Sequence, residues 1–408
     1  MAGGAMMPMV RKLGAVAAVA MTLMLAALTS LGLSGAPAAA RFSARTSLTA
    51  STTTSVPIVP VKVQVVAKGQ FSGLVSGGGW LYSVQLPERG SQLARAMVVR
   101  LDPASGHIVA RSVVLPGAAP AGASSLSFVD NALWLLAGLS KGEELPTELV
   151  ALNPLTLRRE RSVPVNSSLA SGALDSLTGS GRGPLWAALG CKLLRLDPET
   201  GQLLQKVTVR AGTQCEIAMD TETNRLLVEL GPAALRGQPP VPTLLLQERN
   251  GSNGRLLGSA IIPNPPNGWD WLSAYDGNVW LSGGDPGTCG SIYDYRTSPL
   301  RLFASSHGQE CEGLPVGVDG GPGASLPHTS QFPLVDISGG VVWVASDGGV
   351  DCFNPRTARF EAFLQSRSRS NVLNGPIVVT PGGTYGVAST VQPGLGIMRL
   401  TPPVSCRP

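Results

Sequence analysis

Residues 185–201 read LWAALGCKLLRLDPETG, and residues 202–209 continue with QLLQKVTV. An apolar strand that carries Trp186 comes first, and two further strands flank the turn sequence Asp-Pro-Glu-Thr-Gly. In such a turn proline fixes φ, aspartate accepts hydrogen bonds from the following backbone, and glycine adopts a positive φ. The stretch therefore predicts a β-hairpin preceded by a strand with a bulky anchor residue.

This unit recurs along the 408-residue chain. Seven strands carry a bulky residue in an apolar setting, and these anchors are Trp80, Trp134, Trp186, Leu227, Trp280, Trp343 and Tyr385. The spacings between them are 54, 52, 41, 53, 63 and 42 residues. Related turn sequences follow at 101–106, 152–157, 196–201, 293–298, 353–358 and 400–403, with a diverged form at 247–254. A period of about 40 to 50 residues with one strand-borne aromatic is typical of a β-propeller.

The repeat predicts an all-β fold, a seven-bladed β-propeller with four-stranded blades. The last unit lacks an outer strand, whereas residues 61–67 alternate as a strand before the first unit begins. We therefore expect this N-terminal strand to complete the last blade and close the ring, which protects the sheet edges. We expect the anchors to pack between blades and the aspartates of the turn sequences, including Asp294, to be turn residues.

The ends of the chain predict three segments. Arg11 and Lys12 precede an uncharged run to Ala40, which predicts a signal peptide over residues 1–40 or, alternatively, an uncleaved membrane anchor. Residues 41–56 are rich in serine and threonine and read as a linker, and residues 57–408 form the propeller domain. We expect a secreted or cell-envelope protein, with membrane contact only if the first segment stays uncut.

The charge is too small to indicate nucleic-acid binding. The chain carries a net charge of +5, which falls to +3 without residues 1–40. Nucleic-acid binding needs a clustered basic surface, and the arginines here are scattered.

Six cysteines, an even number in an exported chain, suggest three disulfides. Fifteen pairings are possible for six cysteines. The expected positions of the loops on the blades favour Cys191–Cys215, Cys289–Cys311 and Cys352–Cys406. Metal ligation by these cysteines is less favoured because the sequence has no CxxC motif.

One connection stands out as a candidate ligand-binding loop, namely residues 305–331 between the fifth and sixth units. It contains two of the three histidines, and long ordered loops in compact domains tend to be functional. The residues with useful chemistry are His307, Glu310, Glu312, Asp319 and His328. Their spacing matches no known metal-ligand motif, and a solvated loop without a ligand is the alternative. Trp269 and Trp271 lie off the anchor position and are further candidates for ligand contact.

Taken with its anchor, the unit at 185–201 resembles the repeats of the YncE-like and streptogramin lyase-like propeller superfamily. The resemblance extends over nearly the whole mature chain but concerns the fold. It implies that a lyase would use a histidine, acidic residues and Mg²⁺, and His307 with Glu310 is the neighbourhood of similar chemistry. No catalytic residue, metal ligand or cofactor is assigned.

The sequence thus favours an exported, non-catalytic propeller, a monomer, that binds an unknown protein, peptide or glycan through its blade-connecting loop face. The alternative is a metal-assisted lyase or hydrolase that uses the loop between units five and six. A membrane-tethered sensor or scaffold is a third possibility.

Overall fold

A computed structural model gives the fold over residues 58–86, 95–113, 115–116, 126–139, 146–164, 176–179, 181, 183–189, 192–209, 215–230, 244–262, 270–283, 291–306, 324–325, 334–346, 349–366, 373–388 and 396–401. All of these residues belong to the compact unit Thr53–Pro408. Within them the chain forms thirty β-strands and no helix. The all-β prediction is therefore confirmed.

Five sheets are separate from one another, and each is built on four consecutive antiparallel strands. The first has β2 (Gln70–Gly77), β3 (Trp80–Leu86), β4 (Arg95–Leu101) and β5 (Ile108–Arg111), with β6 (Leu115–Pro116) paired to β4. The second has β7 (Leu126–Val129), β8 (Ala132–Leu139), β9 (Pro146–Leu152) and β10 (Arg159–Pro164). The third has β11 (Leu177–Gly179), β12 (Leu185–Leu189), β13 (Lys192–Leu196) and β14 (Leu203–Thr208).

The fourth sheet has β15 (Cys215–Asp220), β16 (Arg225–Leu230), β17 (Leu244–Asn250) and β18 (Leu256–Ile262). The fifth has β19 (Asp270–Tyr275), β20 (Asn278–Gly283), β21 (Ser291–Arg296), β22 (Arg301–Ser306) and an added strand, β23 (Ala324–Ser325). The unpaired edge of a four-stranded sheet can thus receive a further strand from its own chain.

The remaining strands form one eight-stranded sheet around β1 (Ile58–Lys68). On one side are β24 (Leu334–Ser338), β25 (Val341–Ser346), β26 (Gly349–Phe353) and β27 (Phe360–Ser366), and on the other are β28 (Leu373–Thr380), β29 (Gly383–Ala388) and β30 (Gly396–Thr401). The first half of β1 pairs in parallel with β27, and its second half pairs antiparallel with β30. The expected pairing of the N-terminal strand with the last strand is therefore present.

The predicted count of seven separate blades is not what the structure shows. Five sheets are separate, and the strands of the last two predicted units are joined into one sheet because β1 pairs on both of its edges. The first strand of each unit contacts the first strand of the next unit, and β28 contacts β2, so these strands form a closed ring. The fold is a β-propeller.

The anchor side chains are buried, as predicted, except in the first sheet. Trp134, Trp186, Trp280 and Trp343 expose at most 1% of their surface. In the first sheet Trp80 is half-exposed beneath the guanidinium of Arg100, whereas Tyr82 is fully buried. Tyr82 lies opposite Arg100 in the register, and Arg100 comes two residues before the turn aspartate of its sheet. In the third sheet Trp186 lies opposite Arg195, which also comes two residues before its turn aspartate. The predicted anchor Trp80 is therefore wrong, and Tyr82 occupies the repeat position.

The turn sequences form the predicted hairpins. In the third sheet the Asp197 carboxylate accepts hydrogen bonds from the backbone N–H groups of Glu199 and Thr200, at 2.9 and 2.8 Å. The same pattern recurs at Asp102, Asn153, Asn250 and Asn354. The fifth sheet differs, because β21 continues to Arg296 and its turn lies at 297–300. Asp294 is thus buried within a strand, and its prediction as a turn residue was wrong.

Three turns also accept a hydrogen bond from the anchor of the preceding sheet. The Nε1 of Trp186 donates to the carbonyl oxygen of Gly251 at 2.7 Å. The hydroxyls of Tyr82 and Tyr385 donate to the carbonyl oxygens of Pro154 and Pro103, at 3.3 and 3.0 Å. At these three junctions neighbouring sheets are therefore linked by a directional bond, whereas the Nε1 of Trp343 donates within its own sheet, to the carbonyl oxygen of Ser338.

The turn glycines let the anchor rings come close. A Cβ on Gly254, where φ is +67°, would lie 2.8 Å from Cη2 of Trp186. A Cβ on Gly106 would lie 2.9 Å from Cε1 of Tyr385. Leu157 and Ala358 adopt a similar positive φ at the equivalent position of two other turns, so at Gly254 and Gly106 the space that the ring takes is the stronger reason for glycine.

We predict that Gly254→Ala lowers the free energy of unfolding by about 2 to 4 kcal/mol. The alanine would be strained at a positive φ, and its Cβ would also be too close to the indole of Trp186. Gly79→Ala is the matched control, because Gly79 has a φ of +80° and nothing within 4 Å of an added Cβ. The control is expected to lose only about 1 kcal/mol. Equal losses in chemical denaturation would show that the ring contact adds nothing.

Candidate functional site

Most of the predicted ligand-binding residues lie outside the described residues. These are Trp269, His307, Glu310, Glu312, Asp319 and His328. Trp271 is described, and it lies at the start of β19, half-buried, against the apolar cluster that contains Trp343. The first residue of β19 and the last residue of β22 lie at the same end of their sheet, because the four strands alternate in direction. Trp271 is therefore at the end of the sheet from which the predicted loop leaves.

Of the predicted loop, residues 305–331, the structure describes residues 305–306 and 324–325, and both pieces lie in the fifth sheet. β23 pairs in parallel with β22, with Ala304 opposite Ala324 and Ser305 opposite Ser325. The described residues that precede position 307 and follow position 323 therefore lie beside one another at the edge of this sheet.

Two of the six predicted disulfide cysteines are described. Cys215 and Cys352 are buried, neither is a free thiol, and both are disulfide-bonded. Cys191, Cys289, Cys311 and Cys406 lie outside the described residues. The pairings Cys191–Cys215, Cys289–Cys311 and Cys352–Cys406 therefore stay predictions.

A cleft of about 400 Å³ lies between the fourth and fifth sheets. Its walls are Arg225 and Glu248, residues 257–259 of β18, and residues 298–300 of the turn between β21 and β22. Arg225, Glu248, Ser259 and Ser298 supply polar groups, and the side chains of Leu257, Pro299 and Leu300 supply apolar surface. A cleft of this composition suits a side chain or a small group of mixed polarity.

The charged pair in this cleft lies within the fourth sheet, and its carboxylate binds Ser298 at the fifth sheet. The Nε of Arg225 donates to Oε1 of Glu248 at 2.8 Å, and Glu248 exposes only 2% of its surface. Oε2 of Glu248 accepts a hydrogen bond from the backbone N–H of Ser298 at 3.2 Å, and the Ser298 hydroxyl donates to Oε1 at 3.3 Å. A polar bridge therefore occupies the junction where other sheets use an aromatic anchor.

Sequence reasoning missed this cleft, although a signal for it was present. Leu227 is the one aliphatic anchor of the seven, and it lies opposite Glu248 in the register. A leucine is too short to reach the next turn and has no polar atom to donate. The combination of an aliphatic anchor with a facing carboxylate was therefore the feature that set this junction apart.

Asp294 lies at the corresponding position of the fifth sheet, opposite Trp280. Burial raises the pKa of Asp294 to about 8, against the lowering effect of Arg296, whose Nη2 lies 2.7 Å from Oδ2. Arg296 also donates to the carbonyl oxygens of Pro355 and Arg356, at 2.5 and 3.0 Å. The pair therefore links the fifth sheet to the turn between β26 and β27.

Asp336 links three of the strands that form the closed ring. Its Oδ2 accepts a hydrogen bond from the backbone N–H of Ile377 on β28 at 2.9 Å, and the Ser273 hydroxyl on β19 lies 3.4 Å from Oδ1. Burial raises the pKa of Asp336 to about 6, while these hydrogen bonds lower it. The carboxyl group is thus used to hold strands together.

In the part of the chain that the structure describes, no three His, Cys, Asp or Glu side chains are grouped so that they could hold a metal ion. Nor does that part contain a helix with the length and apolar character of a membrane span.

We predict that wild-type stability falls as the pH rises from about 4 to about 8. Over this range folded Asp294, with a pKa of about 8, keeps a proton that the unfolded chain, at the ordinary value of 3.8, has released. Asp294→Asn removes this titration and should flatten the dependence of Tm on pH between about 6 and 8. Asp336→Asn should flatten only the lower part, below about pH 6.

The control for this series is Asp102→Asn. Hydrogen bonds from the Ser105 hydroxyl and the Ala104 backbone lower the pKa of Asp102, so its contribution is lost only as the pH falls below the ordinary range. Thermal unfolding of Asp102→Asn should keep the wild-type slope between about pH 6 and 8. If Asp294→Asn also keeps that slope, Asp294 is ionised in the folded protein.

No known protein family matches this sequence, and no curated protein matches it. Among solved structures the chain is similar to the β-propeller domain of Cps50 (Swd1) from Myceliophteria thermophila, with 12% sequence identity and a TM-score of 0.54. The similarity covers 84% of this chain and 99% of that chain. At this identity it shows the β-propeller fold alone, and the expected relation to the YncE-like and streptogramin lyase-like superfamily stays a prediction.

Proposed function

We propose that this protein is an exported, non-catalytic propeller that binds a protein, peptide or glycan through the loop face, meaning the end of the ring from which residues 307–323 leave β22. The observation that carries the proposal is the pairing of β23 with β22, which fixes both ends of that segment to one sheet. Loops held in this way by a rigid scaffold are a common location for binding residues.

The scaffold itself supports a binding role. Glu248 accepts a hydrogen bond from the backbone of the fifth sheet, and Asp336 accepts one that joins β24 to β28 within the eight-stranded sheet. Side chains engaged in this way fix the relative positions of the sheets, and so of the loops that leave them. A partner would then meet a preorganised surface, which lowers the entropic cost of association.

We further propose that the eight-stranded sheet acts as two blades that share β1, which gives seven units around the ring. The support is the closed series of contacts among the first strands β2, β7, β11, β15, β19, β24 and β28. Export is supported by the disulfide-bonded state of Cys215 and Cys352, since disulfides persist mainly in oxidising compartments.

We predict that a photo-crosslinking amino acid at position 306, at the loop face, captures a discrete partner in the producing cells. The same group at position 199, in the exposed turn between β13 and β14 at the opposite end of the sheets, is the matched control and should capture none. Replacement of residues 308–321 by a short Gly-Ser linker, which keeps β22 and β23, should abolish the product from position 306. Crosslinking that is equal at both positions, or that survives the replacement, would contradict the proposal.

A further inference from the structure

One position of the repeat sets the fourth sheet apart from the others. In every unit the anchor lies opposite a residue of the third strand, and that residue lies opposite one of the outer strand. In six units the outer residue has a side chain, and these residues are Gln64, Ala110, Arg161, Gln205, Ala304 and Ala362. In the fourth sheet the residue is Gly258, opposite Glu248. The junction that lacks an aromatic anchor therefore also lacks a side chain on its outer strand.

The backbone does not require glycine at position 258. Gly258 has no positive φ, and a Cβ there would lie in ordinary contact distance, 3.6 Å from the Cβ of Leu300 and 3.9 Å from Oε2 of Glu248. The β-bulge just before Gly258 also occurs before Gln205 and Ala304, so this bulge accepts a side chain at the next position. Glycine inside a strand is otherwise unfavourable, and it often marks the close approach of a ligand. The effect of Gly258 is therefore to keep space open.

This space exposes hydrogen-bonding groups that the described residues leave partly unused. Oε2 of Glu248 accepts one described hydrogen bond, from the backbone N–H of Ser298. Arg225 uses three of its five N–H groups, for Glu248, for a backbone carbonyl oxygen and for the Ser298 hydroxyl. The Ser259 hydroxyl, also in the wall, bonds to no described residue. The cleft therefore presents an acceptor, two donors and a hydroxyl to a ligand.

The charge of the cleft favours a neutral ligand. Arg225 and Glu248 are paired at 2.8 Å, and the described wall contains no other charged residue. A charged ligand would be partly desolvated there without a counter-charge of its own. Neighbouring hydroxyl groups can donate to the carboxylate and accept from the guanidinium, while a C–H surface packs against Leu257, Pro299 and Leu300. A pyranose sugar combines these features, and a cleft of about 400 Å³ suits a small ligand.

We propose that this cleft is a carbohydrate-binding site that takes one neutral pyranose residue of a glycan beside Gly258. The site lies at the end of the sheets that carries the tight turns, opposite the loop face. The inference therefore goes beyond the proposed function and does not rest on it.

The probes are the methyl pyranosides of glucose, mannose and galactose, each added to the full-length protein. Saturation-transfer NMR should show saturable binding of at least one of them, with a Kd of about 1 to 10 mM.

Gly258→Ala should weaken this binding at least about fivefold, because its methyl group covers Oε2 of Glu248. Its Tm should equal or exceed that of the wild type, since alanine at a compatible φ restricts the unfolded chain. This combination separates a ligand role from a structural one. Gln205→Ala, at the equivalent position of the third sheet, is the matched control and should bind as the wild type does.

Two further arms use the wild-type protein and so do not depend on how a variant folds. The bound pyranoside with every hydroxyl O-methylated should give no saturable signal, because it has no donor for Glu248. Acetate and free alanine, as charged probes of similar or smaller size, should not compete with the pyranoside.

Several results would overturn the proposal. These are no saturable binding of any of the three pyranosides, wild-type affinity in Gly258→Ala, an equal loss in Gln205→Ala, or binding of the O-methylated probe. Competition by acetate or alanine would assign the cleft to a charged ligand instead, and a lowered Tm in Gly258→Ala would show that the fold needs the glycine. Crosslinking from position 306 in Gly258→Ala should match the wild type, because it reports the loop face alone.

Discussion

The closed arrangement of sheets depends on one interaction, the contact between the aromatic anchor of a sheet and the turn of the next sheet. A sheet in a propeller buries its faces only against its neighbours, so every junction must be packed. At three junctions the tight turn supplies a carbonyl oxygen and the anchor of the preceding sheet supplies the donor, as Trp186 does for Gly251. The glycine of the same turn leaves room for the ring. One short sequence thus forms a hairpin and also makes the contact between sheets.

Where a sheet has no aromatic anchor, an ion pair occupies the junction, and its burial costs desolvation free energy. At Leu227 the junction is bridged by Glu248 and Arg225, and the carboxylate is almost fully buried. Buried charges need several partners to offset the loss of water, and Glu248 finds them in a guanidinium, a backbone N–H and a hydroxyl. A polar bridge fills less volume than an indole, and a cleft lies beside it. The cleft thus lies at the junction whose anchor is the aliphatic Leu227.

The repeat, the turns and the pairing of the first strand with the last could be predicted, because each depends on local turn chemistry or on a strand that lacks an edge partner. The register within a strand could not. Trp80 and Tyr82 lie on the same face of one strand, and only the pairing with Arg100 shows which of them is the anchor. Asp294 was misplaced for a related reason, since Tyr-Asp-Tyr imitates the start of a turn two residues early. The double pairing of β1 depends on which strand lies beside its first residues, and no local pattern encodes that neighbour.

The position of β1 has a consequence for how the protein is made. Lys62 pairs with Thr401, so the first strand to leave the ribosome has to wait for the last one before its ladder is complete. The sheets in between are built from consecutive strands and can form as the chain emerges, whereas β1 depends on contacts that span nearly the whole chain. Until then its alternating valines are an unpaired strand in the presence of other nascent chains. Closure of the ring through β1 and β30 thus cannot be completed before the last described strand has been made.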